Sequence, residues 1–173
     1  MKQIMFSGIG GQGVILAANI LANSAVHNGN YAAQSQAYGS ESRGTTTRAE
    51  VIIADQFVDF PHVEKADYFL VMAEGGMKKF KDKTDENTVV IYDGSVFEPE
   101  ENIGSKMINI EATKLSLNNF DRPLFANIIM LGALVEKSKL FDSKILKDII
   151  KEKFQNKALD KNLKAIEIGR NSI

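Results

Sequence analysis

The chain has 173 residues, a formal net charge of -1, 44% hydrophobic and 25% charged residues, and no cysteine. That length suits one domain with a core of ordinary size, and near-neutrality gives no global reason to expect nucleic acid or an anionic membrane surface. The missing cysteines exclude a disulfide framework, a thiol nucleophile and iron–sulfur ligation by this chain, and His27 and His62 alone do not suggest a histidine metal site.

No apolar run approaches the ~18–20 residues that span a bilayer. The first residues, one lysine and then a short apolar stretch broken by glycines, do not read as a signal peptide. The expectation is a cytoplasmic protein.

An apolar strand over Gln3–Ser7 runs into Gly8-Ile9-Gly10-Gly11-Gln12-Gly13 and then into a helix predicted over Gln12–Asn28. Gly8, Gly10 and Gly13 have the G-x-G-x-x-G spacing between strand and helix that the dinucleotide fingerprint requires. Such glycines allow a sharp turn and a close approach of backbone to ligand, and the unpaired amides of the helix start favour an anion. The same glycines would also serve a plain strand–helix turn, where they are needed for packing alone.

Gly29 caps the helix, and Tyr31–Gln36 returns toward the sheet. A nicotinamide or flavin site would end this second strand on an acid for the ribose hydroxyls. Gln36-Ala37-Tyr38 offers none, which argues against ordinary dinucleotide binding. The loop Tyr38-Gly39-Ser40-Glu41-Ser42-Arg43-Gly44-Thr45-Thr46-Thr47-Arg48 then gathers hydroxyls, a carboxylate and two guanidiniums where open α/β sheets place their ligand crevices.

Ala49–Asp55 reads as a strand, Asp67–Ala73 and Thr88–Asp93 as strands buried on both faces, and Lys106–Ile110 as a short strand. A lysine-rich outer helix is expected over Met77–Lys83, and His62 as a partly exposed loop residue. Asp93 and Glu74 stand at strand ends without an evident acid–base partner. The last third is helical. Asp121–Val135 is apolar almost all round, with Pro123 near its start, Gly132 for close packing and Asn127 as the polar exception. Amphipathic helices follow from Asp142 and over Lys157–Arg170.

Strands alternating with helices, then terminal helices, predict a three-layer, Rossmann-like α/β domain with a mainly parallel sheet. No nucleophile elbow, phosphate loop or zinc-protease motif occurs, so the chain reads as a binding module or subunit.

The glycine run Phe6–Val14, the loop Gln36–Gly44, Asn127 with Met130-Leu131-Gly132-Ala133, and the stretch Asn162–Gly169 together resemble the gamma subunit of 2-oxoacid:ferredoxin oxidoreductases. The match covers nearly the whole chain; the family's loop often continues with a second glycine where Thr45 stands here. The resemblance implies one gamma-type domain over residues 1–173, inactive by itself and working with alpha, beta and delta subunits and, through them, ferredoxin. It places thiamine diphosphate and iron–sulfur clusters on those partners and implies a contact of this chain with coenzyme A. Gly8, Gly10, Gly11, Gln12, Gly13, Tyr38, Ser40, Glu41, Ser42, Arg43 and Asn127 are the candidate contacts, with no catalytic residue and no metal ligand. The form of the loop is closest to the 2-oxoglutarate type, with pyruvate, branched-chain 2-oxoacids and indolepyruvate as the other substrates in view. A freestanding dinucleotide- or phosphate-binding protein and a purely structural partner are the competing readings.

Overall fold

The structure is a computed structural model that describes residues 1–37 and 45–173. Six strands form one sheet: β1 (Lys2–Ile9), β2 (Tyr31–Ala37), β3 (Thr46–Ala54), β4 (Tyr68–Val71), β5 (Val89–Tyr92) and β6 (Lys106–Asn109), in the order β2-β3-β1-β4-β5-β6. β1–β4, β4–β5 and β5–β6 pair in parallel. β3 pairs antiparallel with both β1 and β2. The sheet is thus mostly parallel, with an antiparallel edge on an otherwise parallel frame, a common mixture.

The helices are α1 (Val14–His27), α2 (Glu74–Phe80), α3 (Ala112–Phe120), α4 (Ala126–Ser138), α5 (Ser143–Lys153) and α6 (Asn156–Arg170). α1 begins two residues later than expected because Gly13, at φ 73°, is its N-cap. α2 starts earlier than the lysines suggest and ends in a 3-10 turn over Lys81–Lys83. Pro123 opens a 3-10 turn, Pro123–Phe125, ahead of α4, since proline suits a helical start but offers no N–H. α3 is not foreseen by apolar periodicity. Ala112, Ser116 and Phe120, four residues apart, are buried and two of these are small, with Leu115 half-buried against the same core.

Strand alternation divides the core. Ile4 and Phe6 of β1, Ala49, Val51 and Ile53 of β3, Leu70 of β4 and Ile91 of β5 face a layer built from α1, α3, α4, α5 and α6. α4 lies within this layer and is buried from Ala126 to Val135, as its all-round apolarity requires. Each fully buried Ile or Leu there contributes roughly 1.5–3 kcal/mol. α4 and α6 approach backbone to backbone: a Cβ on Gly132 would meet the Ile166 carbonyl, and one on Gly169 the Ile129 carbonyl.

The opposite face is thinner. Met5, Ile52, Phe69, Val71, Val90 and Tyr92 are covered by Met77 and Phe80 of α2 and by Val63 and Ala66 of a connection. Gly76 lets α2 sit down on Ser7 of β1. Toward β2 this face turns polar. Glu50, 1% exposed, accepts from Ser35 Oγ at 2.9 Å and meets His62 Nδ1 at 3.0 Å and Arg48 Nε at 3.5 Å. Glu50 Oε1 has no hydrogen-bond donor, and the Arg48 guanidinium stacks on the Phe80 ring at 5.3 Å. His62 is partly exposed, as expected, but it has a buried carboxylate for a partner. Tyr31, Phe57 and Phe60 stand exposed beyond this cluster.

Among the described residues, no helix is long and apolar enough to cross a membrane.

Candidate functional site

The glycine turn lies where β1 ends, beside its parallel neighbour β4. Gln12 N–H donates to Ile9 O at 3.2 Å and closes the turn. The Gln12 side chain turns inward. Its Oε1 accepts from Ile9 N–H at 2.8 Å, and its Nε2 donates to Met72 O at 2.9 Å, just past β4. One side chain therefore ties together the two strand ends that border the crevice.

The four glycines of the turn separate into a frame and a rim. Gly8 belongs to the frame, because a Cβ there would lie 2.8 Å from Val14 Cγ2. Gly13 does too: its φ of 73° favours glycine, and its missing Cβ leaves room for Asn127. Asn127, 3% exposed, donates from Nδ2 to Gly13 O at 3.0 Å, and its Oδ1 accepts from Ile128 N–H at 2.9 Å. The buried amide is thus satisfied inside the protein, as a buried polar group must be. Gly10 and Gly11 form the rim. Both are exposed, with nothing within 4 Å of where a Cβ would be. Gly10 N–H reaches Thr45 O at 3.3 Å, which holds the turn beside the start of β3. Gly11 and Gly13 N–H groups have no acceptor among the described residues.

The rim opens into a cleft of about 500 Å³ lined by Gly11, Gln12, Met72, Thr113, Arg122 and Leu124. That volume lies within the range of small-molecule sites, about 300–1,000 Å³. Its position outside the carboxyl ends of β1, β4 and β5 is where open α/β sheets bind ligands. Asp93, at the end of β5, is fully buried and accepts from Thr113 N–H at 2.9 Å, Thr113 Oγ1 at 2.7 Å and Ser95 Oγ at 2.5 Å. It therefore holds the start of α3 and is not a free acid. Glu74, at the start of α2, pairs with Lys78 at 2.7 Å.

Arg122 escapes a reading of motifs. It sits in extended backbone between Asp121, whose φ is 58°, and Pro123. Its carbonyl accepts from Ser116 Oγ at 2.5 Å, which fixes the backbone, while its exposed guanidinium has no acidic partner among the described residues. A cation ahead of a proline at the mouth of a buried helix is the signal that the sequence carries. Its nearness to the glycine turn is purely spatial.

The site can bind an anion. Unpaired amides at the start of a 14-residue helix, the positive end of that helix and a free guanidinium converge on one cleft. It is poorly arranged for a nicotinamide or flavin dinucleotide, because β3 intervenes between β1 and the strand that would carry the ribose acid. Of the candidates, Gly11 and Gln12 line the cleft, Gly10 stands exposed in the turn beside them, and Gly8, Gly13 and Asn127 lie behind it. Tyr38, Ser40, Glu41, Ser42 and Arg43 lie outside the described residues.

Comparison with known proteins bears on the same fold. Residues 3–172 match the pyruvate ferredoxin/flavodoxin oxidoreductase family. The chain is 37% identical over 166 residues to the 2-oxoglutarate synthase subunit KorC of Archaeoglobus fulgidus, covering 96% of this chain and 84% of that one. The keto/oxoacid ferredoxin oxidoreductase gamma subunit of Geobacter sulfurreducens superposes with a TM-score of 0.86 at 28% identity, over 99% of this chain and 98% of that one. A 2-oxoglutarate:ferredoxin oxidoreductase from Magnetococcus marinus, with 2-oxoglutarate, coenzyme A and succinyl-CoA bound, shares the fold at a TM-score of 0.89 and 22% identity. The superposition covers 99% of this chain but only 30% of that longer one. The chain belongs to the pyruvate ferredoxin/flavodoxin oxidoreductase family, as a gamma-type subunit.

Proposed function

We propose that residues 1–173 act as one gamma-type domain of a 2-oxoglutarate:ferredoxin oxidoreductase and hold part of coenzyme A in the glycine-turn cleft. In this reading alpha, beta and delta subunits carry thiamine diphosphate and the iron–sulfur clusters, which decarboxylate the 2-oxoacid and pass its electrons to ferredoxin. The absence of cysteine from this chain agrees with clusters held elsewhere. Likeness to KorC supports 2-oxoglutarate as the substrate.

The observation that carries the coenzyme reading is the open rim at Gly11, in a cleft that Arg122, without an acidic partner among the described residues, also lines. Arg122 would grip a phosphate with paired N–H donors, while the start of α1 presents its amides to the same negative charge. Arg43, with Tyr38, Ser40, Glu41 and Ser42 beside it in sequence, is proposed to add to this anion contact from the connection between β2 and β3.

The test uses the assembled enzyme, recovered anaerobically through a tag on this chain and assayed for 2-oxoacid- and coenzyme A-dependent reduction of a viologen dye. Arg122→Ala should raise the KM for coenzyme A about tenfold, the worth of one charge-assisted hydrogen-bonded contact, with the other subunits still co-purifying. An unchanged KM would remove the cleft from the coenzyme site. The same preparation, given pyruvate in place of 2-oxoglutarate, tests the substrate.

A further inference from the structure

Phe57 and Phe60 are each 74% exposed, Met1 73% and Tyr31 51%. All four belong to one end of the sheet. Met1 precedes β1, whose first residue Lys2 pairs with Ile53, and Tyr31 opens β2 opposite Ala54 at the close of β3. The glycine turn lies at the other end of β1, an eight-residue strand. At 3.3 Å per residue the two places are roughly 25 Å apart. They are opposite poles of the molecule.

The rings at this pole are braced. Val58 packs into the thin-face core, and Phe57 meets Tyr31 edge-on with ring centroids 6.4 Å apart. Phe60 meets the His62 ring at 6.0 Å, and His62 N–H donates to Phe60 O at 2.9 Å across Pro61. His62 is itself held by buried Glu50 at 3.0 Å. Rings already ordered lose little further freedom when a partner covers them, so their burial goes mostly into binding. Phe57 and Phe60 line one groove of about 470 Å³ with Met1, Asp55, Val58 and Asp59. Asp55 accepts from Asn30 Nδ2 at 3.2 Å, whereas Asp59 makes no hydrogen bond or ion pair among the described residues. The walls are aromatic and the rim is acidic.

We infer that this pole is the docking surface for another subunit of the same oxidoreductase, which lays a lysine or arginine side chain into the groove. The apolar stem of that side chain covers the Phe57 and Phe60 rings, and its charge meets Asp59, with Asp55 beside it. Charge argues against a second copy of this chain as the occupant. A two-fold contact through the groove would turn Asp55 and Asp59 toward their own counterparts, and like charges so placed oppose association. The inference goes beyond the coenzyme reading and rests only on the chain's place as a gamma-type subunit. It gives the two poles separate tasks, ligand at one and anchorage at the other.

The test puts photoreactive benzoylphenylalanine in place of Phe60 and illuminates the assembled enzyme, recovered anaerobically through a tag on this chain. Mass spectrometry of the joined peptides should show a lysine- or arginine-bearing segment of another subunit. Asp59→Lys, at an exposed position, should lower the yield of co-purifying subunits about tenfold, as like charges then face each other. The enzyme that still assembles should keep its KM for coenzyme A, because the cleft lies at the other pole. A cross-link to a second copy, to a segment without a basic residue, or to nothing overturns the inference. Full co-purification with Asp59→Lys overturns it too. Arg122→Ala keeps the two readings apart: an unchanged KM there removes coenzyme A from the cleft, while the cross-link still decides the docking surface.

Discussion

The two faces of the sheet are held by different means. One carries α1, α3, α4, α5 and α6, with α4 sunk among them and pressed against α6 through Gly132 and Gly169. The other is covered by seven-residue α2 and connections, and toward β2 its interior is a carboxylate, a histidine, an arginine and a serine. Apolar burial and backbone contact stabilise the first, while directional bonds to one buried charge organise the second. The glycine cleft sits at the strand ends over the thick side, so its frame residues inherit that rigidity.

The sharpest way to break this contrast is Gly169→Val. Its Cβ would run into the Ile129 carbonyl and lie within 2.9 Å of Ala133 N, both backbone atoms that cannot swing aside. Overpacking against backbone falls at the upper end of the usual cost, about 3 kcal/mol, and urea unfolding of the purified chain should show a large fall in midpoint. Glu50→Ala probes the other face. It leaves Ser35, His62 and Arg48 without their shared acceptor and should cost about 2 kcal/mol, the scale of hydrogen bonds to a charged group. Equal losses from the two variants would mean that the polar cluster stabilises the thin face as firmly as packing stabilises the thick one.

The smallest effect belongs to the rim of the thick layer, where Arg170 of α6 meets Glu136 of α4 at 3.0 Å and Lys147 of α5 meets Glu167 at 2.6 Å. Lys139, then Arg170, hold the Glu136 carboxyl below its ordinary value, and Lys147 does the same for Glu167. Carboxyls depressed in the folded state give stability above their unfolded pKa, near ~4.3, that is lost as pH falls through the folded value. The melting temperature should therefore be flat from neutral pH down to about pH 5 and decline below it. Glu136→Gln should soften that decline slightly, and salt should reduce the difference, because these side chains are partly exposed to solvent.

The parts of the fold that follow from local chemistry were legible. β1, the glycine turn, α1 and the all-round apolar α4 each carry their own pattern of residues. The antiparallel insertion of β3 between β2 and β1 was not, because side-chain alternation has the same period in either direction. The burial of Glu50 was also hidden. A charged residue near the start of a strand looks solvated until Ser35 and His62 arrive from other segments. In the site, the glycines announced a turn, but the division between frame and rim depends on Asn127 behind Gly13 and on the inward fold of Gln12. Arg122 and Thr113, which line the cleft, carry no motif for a ligand. Their place in the site comes from distant segments meeting, and no spacing rule reports that.

The bond from Asn127 to Gly13 joins residues 114 positions apart. During synthesis the glycine turn leaves the ribosome early and waits, without its backing amide, until α4 is made. A nascent chain halted before α4 would display the most recognisable motif of the protein with no amide behind it. Order of manufacture thus becomes a check on completeness, because only a chain made through α4 can brace the turn.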